Sequence, residues 1–149
     1  MSTPLTTQIS TALVALLAGI PGVLGAAHDE PIDFDKRALP FAWVYEGEER
    51  FDTETATSHY FLSTDLHVVL AYPYSEEAGN LPRPTGQAFK ALVLIALAAD
   101  FQLGGVATDV LPLAAVVQDQ INGLANTAAL VMAFEARYHH PHADPYRLA

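Results

Sequence analysis

Histidine is the residue type that most suggests chemistry in this chain, and three of the six histidines lie together near its C-terminal end. The run His139-His140-Pro141-His142 offers imidazole nitrogens and Asp144 adds a carboxylate, which are ligand types that zinc accepts. Adjacent side chains of an extended segment point to opposite sides, however, whereas a zinc site needs three or four convergent ligands. We therefore predict a hydrated tail beyond a strand end, with no metal and no other cofactor.

Carboxylate pairs are the second feature that could support catalysis. General acid–base catalysis needs carboxylates held in a cleft with their pKa values pushed apart. The pairs Glu48-Glu49 and Glu76-Glu77 lie in polar segments without an apolar period, which predicts solvated loops. The sequence also lacks a Gly-x-Ser-x-Gly elbow, a phosphate loop and a dinucleotide fingerprint. We expect a protein that is not an enzyme.

The composition favours a single domain that associates with copies of itself. The 149 residues fit one domain, residues 1–149, and a chain of this size buries roughly 68 to 70% of its unfolded surface. Hydrophobic residues make up 51% against 16% charged, an apolar excess that predicts subunit interfaces. The net charge of -10 disfavours nucleic-acid binding, which needs clustered cations. The absence of cysteine fits a reducing cytoplasm or a virion interior.

The apolar start of the chain has two interpretations. Residues 5–20 keep helical spacing of apolar side chains, and Thr3-Pro4 and Gly19 supply a start and a stop, which predicts an amphipathic helix. The same stretch followed by small residues also resembles a secretory signal, but a signal begins with positive charge and the first basic residue is Lys36. The stretch is too short for a membrane span, which takes about 20 apolar residues.

Alternation of side-chain type predicts four strands, which begin near Phe41, His59, Leu111 and Thr127. Residues 22–39 are interpreted as a connecting arm. The segments 46–57 and 73–84 are predicted to be long exposed loops, and Asn122-Gly123 is suited to the hairpin between the last two strands. In the last strand, Arg137 lies on the face predicted to be wet.

A second helix is predicted from Thr85 to Phe101, with Gly104-Gly105 after it as a stop. Its apolar stripe includes Phe89 and Val93, and the rest of its surface is nearly as apolar. A helix that is hydrophobic all round must be covered on most sides, so we expect the first helix or a neighbouring subunit to lie on it. The predicted fold class is α+β: a mostly antiparallel four-stranded sheet with two main helices on one face and long loops after the first two strands.

The order of these elements resembles the phage tail terminator, or tail completion, family, which includes the minor tail protein U type and tail-to-head joining proteins. The residues that carry the resemblance extend over nearly the whole chain: the amphipathic start from Ile9 to Val23, Leu39-Pro40 before the aromatic strand, the long strand ending near Tyr72, the apolar helix closed by Leu103-Gly104-Gly105, and the final strand with Tyr138 and Asp144-Pro145. The match is weakest in the two long loops.

The resemblance implies a structural virion protein that forms a hexameric ring on the head-proximal end of the tail tube, stops tube polymerisation and provides the surface for head joining. The implied partners are other copies of the chain, a tail tube protein and a head–tail connector protein, without sequence-specific nucleic-acid binding and without a membrane. Assembly is implied in the host cytoplasm. The interface candidates are Glu48, Glu49, Asp52, Glu54, Phe89, Val93 and Arg137.

Two other functions remain open from the sequence. A small secreted or periplasmic binding domain requires cleavage of the first 27 residues. A metal-dependent enzyme would use the terminal histidines and would require stoichiometric metal and a cleft.

Overall fold

The computed structural model describes residues 3–52, 59–75, 77–121 and 123–148. These residues form two α-helices, five strands and two short 3-10 turns, Phe34–Lys36 and Leu103–Gly105. The elements in chain order are α1 (Leu5–Ala18), β1 (Gly25–His28), β2 (Phe41–Asp52), β3 (His59–Pro73), α2 (Pro82–Ala99), β4 (Asp109–Gln118) and β5 (Thr127–Pro141). The α+β class is therefore confirmed.

All five strands form one sheet in the order β1-β2-β3-β5-β4. β1 is parallel to β2, whereas every other neighbouring pair is antiparallel. The predicted number of four strands was wrong, because β1 adds a fifth strand and its parallel pairing makes the sheet mixed. The other three pairs are antiparallel, in agreement with the prediction of a mostly antiparallel sheet. β1 lies inside the segment predicted as a connecting arm. Its sequence Gly-Ala-Ala-His is too short and too uniform to show a period of two.

The centre of the sheet is the ladder between β3 and β5, which pair from His59 opposite Pro141 to Pro73 opposite Thr127. The prediction of a strand from His59 to Tyr72 is confirmed. Even-numbered residues of both strands face the same side, where they form the apolar floor of the main core. These residues are Leu62, Leu66, Val68, Leu70, Tyr72, Ala128, Leu130, Met132, Phe134, Ala136 and Tyr138.

Both helices pack on this floor, so the predicted placement of the helices on one face is confirmed. α1 lies over β1 and β2, and α2 lies over β4 and β5. α1 begins after Pro4 and ends at Gly19, as predicted. Its buried apolar residues recur at every fourth position, which keeps them on one side of a helix: Leu5, Ile9, Leu13 and Leu17.

α2 begins earlier than predicted. Pro82 occupies the first turn, where the missing N–H of proline costs nothing and its fixed φ suits a helix, so Thr85 is already inside the helix and does not cap it. The Tyr72 hydroxyl donates a hydrogen bond to the carbonyl of Pro82 at 2.7 Å and ties this first turn to β3. A Cβ on Gly86 would lie 2.5 Å from that hydroxyl, so glycine allows α2 to approach the sheet closely.

Only one side of α2 is covered by the rest of the chain. Val93 and Leu97 are buried, and Phe89 packs against Tyr72 with ring centroids 5.5 Å apart. On the opposite side Ile95 is 66% exposed. The described residues of one subunit therefore do not supply the expected cover over the whole helix.

The predicted exposed loop at residues 46–57 was wrong for its first half, because β2 continues to Asp52. The pairing of β2 with β3 shifts between Glu46 and Glu49, which is a β-bulge with one extra residue in β2. A sequence with four acids and a glycine shows no apolar period, so alternation could not reveal this half of the strand. Glu54 and the rest of that segment lie outside the described residues.

The other long connection is also shorter than predicted, because Pro82 to Pro84 belong to α2. Glu76 and Asn122 lie outside the described residues. Of the predicted hairpin dipeptide, only Gly123 is therefore described. Gly123 has the positive φ of 68° expected for such a turn. Neither helix in the described part of the chain has the length and apolar character needed to cross a membrane.

We predict that Val93→Asp abolishes soluble folding and that Phe89→Asp weakens it. The Val93 side chain has no exposed surface, and burying an unpaired charge there costs several kcal/mol against a total stability of about 5 to 15 kcal/mol. Chemical unfolding followed by circular dichroism measures the effect. Ile95→Asp, on the exposed side of the same helix, is the control and should leave the free energy of unfolding nearly unchanged. A folded Val93→Asp variant would contradict the position of α2.

Candidate assembly surfaces

The acidic residues predicted to contact a tail tube lie on the last part of β2. Glu48 and Asp52 are exposed, as predicted, and so is Glu49. Glu49 is nevertheless tied to the subunit, because the Thr6 hydroxyl of α1 donates a hydrogen bond to its carboxylate at 3.1 Å. The bulge turns Glu49 towards the helices and brings it opposite Thr64.

A hydrogen-bonded group of hydroxyls lies beneath Glu49. The Tyr138 hydroxyl is 2.7 Å from the Thr64 hydroxyl and 3.0 Å from that of Thr6. Burial raises the pKa of Tyr138, although the hydrogen bonds from Thr6 and Thr64 act in the opposite direction. The group joins α1, β3 and β5, so a change at Glu49 acts on the packing of α1 as well as on the surface.

Glu46 makes the most specific polar contact between α1 and the sheet. The buried Ser10 hydroxyl donates to one carboxylate oxygen of Glu46 at 2.7 Å, and His28 Nε2 lies 2.9 Å from the other. Burial by itself would raise the pKa of Glu46, but the hydrogen bonds from Ser10 and His28 outweigh it and hold the pKa below its ordinary value of 4.5. No residue spacing signals this contact in the sequence, because His28 lies within residues 22–39, the segment predicted to be a connecting arm.

His28, Asp29 and Glu46 also form a cluster with metal-ligand atoms within 4.8 Å of one another. Both oxygens of Glu46 already accept hydrogen bonds from the protein, and His28 and Asp29 are exposed. The cluster is therefore explained by the Ser10–Glu46–His28 contact without a metal.

The face of the sheet away from the helices, called here the open face, carries a chain of ion pairs. Arg50 makes two hydrogen bonds to Asp65, at 3.0 and 2.9 Å, and a third to Glu135 at 3.3 Å. Arg137 donates to the other oxygen of Glu135 at 2.9 Å. The Arg50 hydrogen bonds lower the pKa of Asp65, against the smaller effect of burial. We call these four residues the ion-pair chain.

Arg137, a predicted interface residue, is half exposed at the end of this chain and borders a shallow groove of about 580 Å³. The groove also contains Phe61, Asp109 and His139. One buried carboxylate oxygen of Asp109 has no hydrogen-bond partner among the described residues. Asp109 is paired across the sheet with Arg137, and its charge contributes to raising the pKa of Arg137 after the larger effect of the Glu135 hydrogen bond.

The other half of the open face is apolar and partly covered by the arm before β2. Phe34 packs edge-on against Trp43, with ring centroids 5.0 Å apart, and both belong to a second, smaller core. Tyr45, which follows Phe41 and Trp43 on the same side of β2, is 39% exposed and stacks on His67. A second shallow groove runs beside Trp43 and Tyr45.

The C-terminal histidines do not form a tail beyond a strand, because β5 continues to Pro141. His139 stacks on Phe61 at 5.2 Å between ring centroids, and His142 lies over Tyr60 at 4.3 Å. His140 is buried, and its Nδ1 lies 2.8 Å from the carbonyl oxygen of Pro141. The prediction of a hydrated tail was therefore wrong for His140, which is buried at the end of β5, whereas the expected alternation of the histidine side chains is confirmed.

β4 carries exposed apolar side chains. Leu113 is 56% exposed and Val116 is 54% exposed. β4 pairs only with β5, so one long side of its backbone has no strand partner within the described residues. We call this side, with Leu113 and Val116, the β4 edge. Val93, in contrast, belongs to the core of the subunit.

Comparison with known proteins leaves the family open. No protein-family model matches the chain, and no curated protein matches it. A solved structure described as the virion of a native gene transfer agent (GTA) particle contains a similar chain, with 14% sequence identity over 92% of this chain and 92% of that one, and a TM-score of 0.40. A similarity of this size does not establish a shared fold.

We predict that Glu46→Gln destabilises the protein by about 1 kcal/mol at neutral pH, the usual net value of a hydrogen bond to a partly exposed charged group. Because the folded state lowers the pKa of Glu46, the stabilisation is present above the unfolded pKa and is lost as pH falls through the folded pKa. The difference in unfolding free energy between parent and variant should therefore shrink below about pH 4.5.

Urea unfolding of both proteins between pH 7 and pH 3 measures this difference. Glu48→Gln, a matched change on the same strand, is the control and should show little loss at any pH. A difference that stays constant across this range would contradict the role assigned to the Glu46 carboxylate.

Proposed function

We propose that this chain is a structural protein of a phage-like virion, which forms a ring on the head-proximal end of the tail tube. The ring, expected to be a hexamer, stops tube polymerisation and provides the surface to which the head–tail connector attaches. It acts without enzyme activity, cofactor or sequence-specific contact with nucleic acid. Assembly takes place in the host cytoplasm, and the final location is the virion tail.

The observation that carries this proposal is the set of apolar side chains that one folded subunit leaves exposed on β4 and α2. Leu113 and Val116 on the β4 edge and Ile95 on α2 are each more than half exposed, although the subunit already has two apolar cores. We take these side chains as parts of subunit contacts, where association would remove them from water. The resemblance of the sequence to tail completion proteins indicates which association this is.

The alternative function, a secreted binding domain with a cleaved signal, is disfavoured by the packing of α1. Cleavage after residue 27 would remove a helix whose Leu5, Ile9 and Leu13 have at most 2% exposure. It would also remove Ser10, which bonds Glu46, and most of β1. The mass of the mature chain decides between the two functions.

The function is tested by deleting the gene from the phage that carries it. If the ring closes the tube, tails without it should exceed their normal length and fail to join heads, because the tube end stays open to further subunits. Electron microscopy of lysates measures tail length and the fraction of tails joined to heads, with complementation by the parent gene as the control. Normal tails and full infectivity in the deletion strain would contradict the proposal.

The exposed acids of β2 are proposed to contact the tube, together with Glu54. Glu48→Gln removes one charge per subunit and hence a full circle of charges from a ring, so it should change the salt dependence of tube binding. It should leave the melting temperature nearly unchanged. Glu49→Gln should lower the melting temperature more, because Glu49 accepts a hydrogen bond from Thr6. Co-sedimentation with tubes at several salt concentrations measures binding, and equal salt dependence in Glu48→Gln and the parent would exclude Glu48 from the contact.

A further inference from the structure

We propose that the β4 edge of one subunit pairs with β1 of the next copy, so that the five-stranded sheets join into one continuous sheet around the ring. This inference rests on the proposed function for the existence of a ring and goes beyond it by assigning the two strands that form the subunit contact. The occupant of the β4 edge is thus a second copy of this chain.

The β4 edge lacks most of the features that prevent an edge strand from pairing with another chain. Natural edge strands avoid pairing with other chains through charges, prolines, bulges or short length. From Val110 to Val117 β4 has no charged residue, and its one proline, Pro112, lies beside the bulge at the start of the strand. The part after the bulge, Ala114 to Val117, is therefore a regular and apolar edge.

β1 offers the complementary edge at the other end of the sheet. It pairs with β2 on one side, and no described strand pairs with its other side. Gly25, Ala26 and Ala27 carry no charge and no bulky group, so a strand can approach them without burying an unpaired charge. Two apolar side chains flank this edge in sequence, Leu24 at 65% exposure and the fully exposed Ile32.

The directions of the strands also fit. β1 and β2 run parallel, β3 runs against them, β5 runs with them and β4 runs against them. β1 of a neighbouring copy in the same orientation therefore meets β4 as an antiparallel partner. Antiparallel pairs are the more stable and the more frequent arrangement.

In a ring, each subunit uses two different surfaces that complement one another. The outer edges of β1 and β4, at opposite ends of the sheet, are two such surfaces. Both helices lie on one face, so continuing the sheet keeps the helices of all copies on the same side. Four paired residues bury less than the ~800 Å² per partner of a standard interface. Leu24 and Ile32 beside β1, and Leu113 and Val116 on β4, supply additional apolar contact.

The absence of cysteine allows a direct test by paired cysteine substitutions. Ala27 shares the open face with Ala114 and Val116, because Ala27 is aligned with Trp43 and the other two are aligned with Ala133 and Val131. Directly opposite residues of antiparallel strands are close enough for a disulfide. Ala27→Cys is therefore combined with Ala114→Cys or with Val116→Cys, which covers the two registers that keep the faces matched.

The matched control is Ala27→Cys combined with Ala115→Cys, because Ala115 points to the helix side, opposite Met132. Under mild oxidation, at least one same-face pair should give a ladder of covalent oligomers on a denaturing gel, ending at the ring size found by native mass spectrometry. The control pair and each single variant should give much less. As a second measurement, Val116→Lys should shift native mass spectra from ring to monomer, whereas Tyr146→Lys, at a residue 44% exposed in the tail, should not.

The outcomes separate this inference from the proposed function. Rings in the parent without cross-linking in any same-face pair would overturn the β1–β4 contact and leave the tail ring intact. Covalent dimers from Ala114→Cys alone would show β4 pairing with itself and would also overturn it. A covalent ladder in a protein that never binds tubes would support the contact and reject the function. A parent that forms no ring, alone or on tubes, would reject both.

Discussion

The antiparallel pairing of β3 with β5 is the interaction on which the rest of the molecule depends. Fifteen consecutive residue pairs place the even-numbered side chains of both strands on one side, and this strip is the floor on which α1 and α2 pack. β2 extends the floor under α1, and β4 extends it under α2. β1 and β4 are the end strands of the sheet, so within the described residues their outer edges have no strand partner.

The two faces of the sheet are stabilised by different interactions. The helix side is closed mainly by apolar packing. Polar contacts join α1 to the sheet at Ser10 and Glu46 and at Thr6 and Glu49, and the Tyr72 hydroxyl joins β3 to the first turn of α2. The open face has an apolar half under Phe34 and a charged half with Arg50 and its partners. Removing α1 would therefore disrupt the core, whereas changes in the charged half alter mainly the surface.

Sequence periodicity predicted the helices and strands that bury one side. It failed for β1, which is short and made of small residues, and for the part of β2 that follows a bulge. α1, β3 and β5 each have one buried side, so their periods of about 3.6 and 2 are visible in the residues. β1 has no visible period, because its four residues are small. Alternation did not predict the acidic half of β2, because the bulge before Glu49 reverses the phase of the strand. Strict alternation would place the Arg50 side chain on the side of Ala42 and Val44, beneath α1. In the structure, Arg50 lies on the open face. The His28–Glu46 and Arg50–Asp65 contacts join residues of different strands, and such contacts leave no spacing signal in one sequence.

The ion-pair chain has one electrostatic consequence for any polymer that passes over the open face. Its two guanidinium groups, Arg50 and Arg137, balance two carboxylates, Asp65 and Glu135, so the four residues add no net charge although the whole chain carries -10. Because each guanidinium group is paired with a carboxylate, the four residues add neither an unbalanced positive charge that would hold a polyanion nor an unbalanced negative charge that would repel it. Towards a charged polymer, the ion-pair chain itself is therefore electrically balanced.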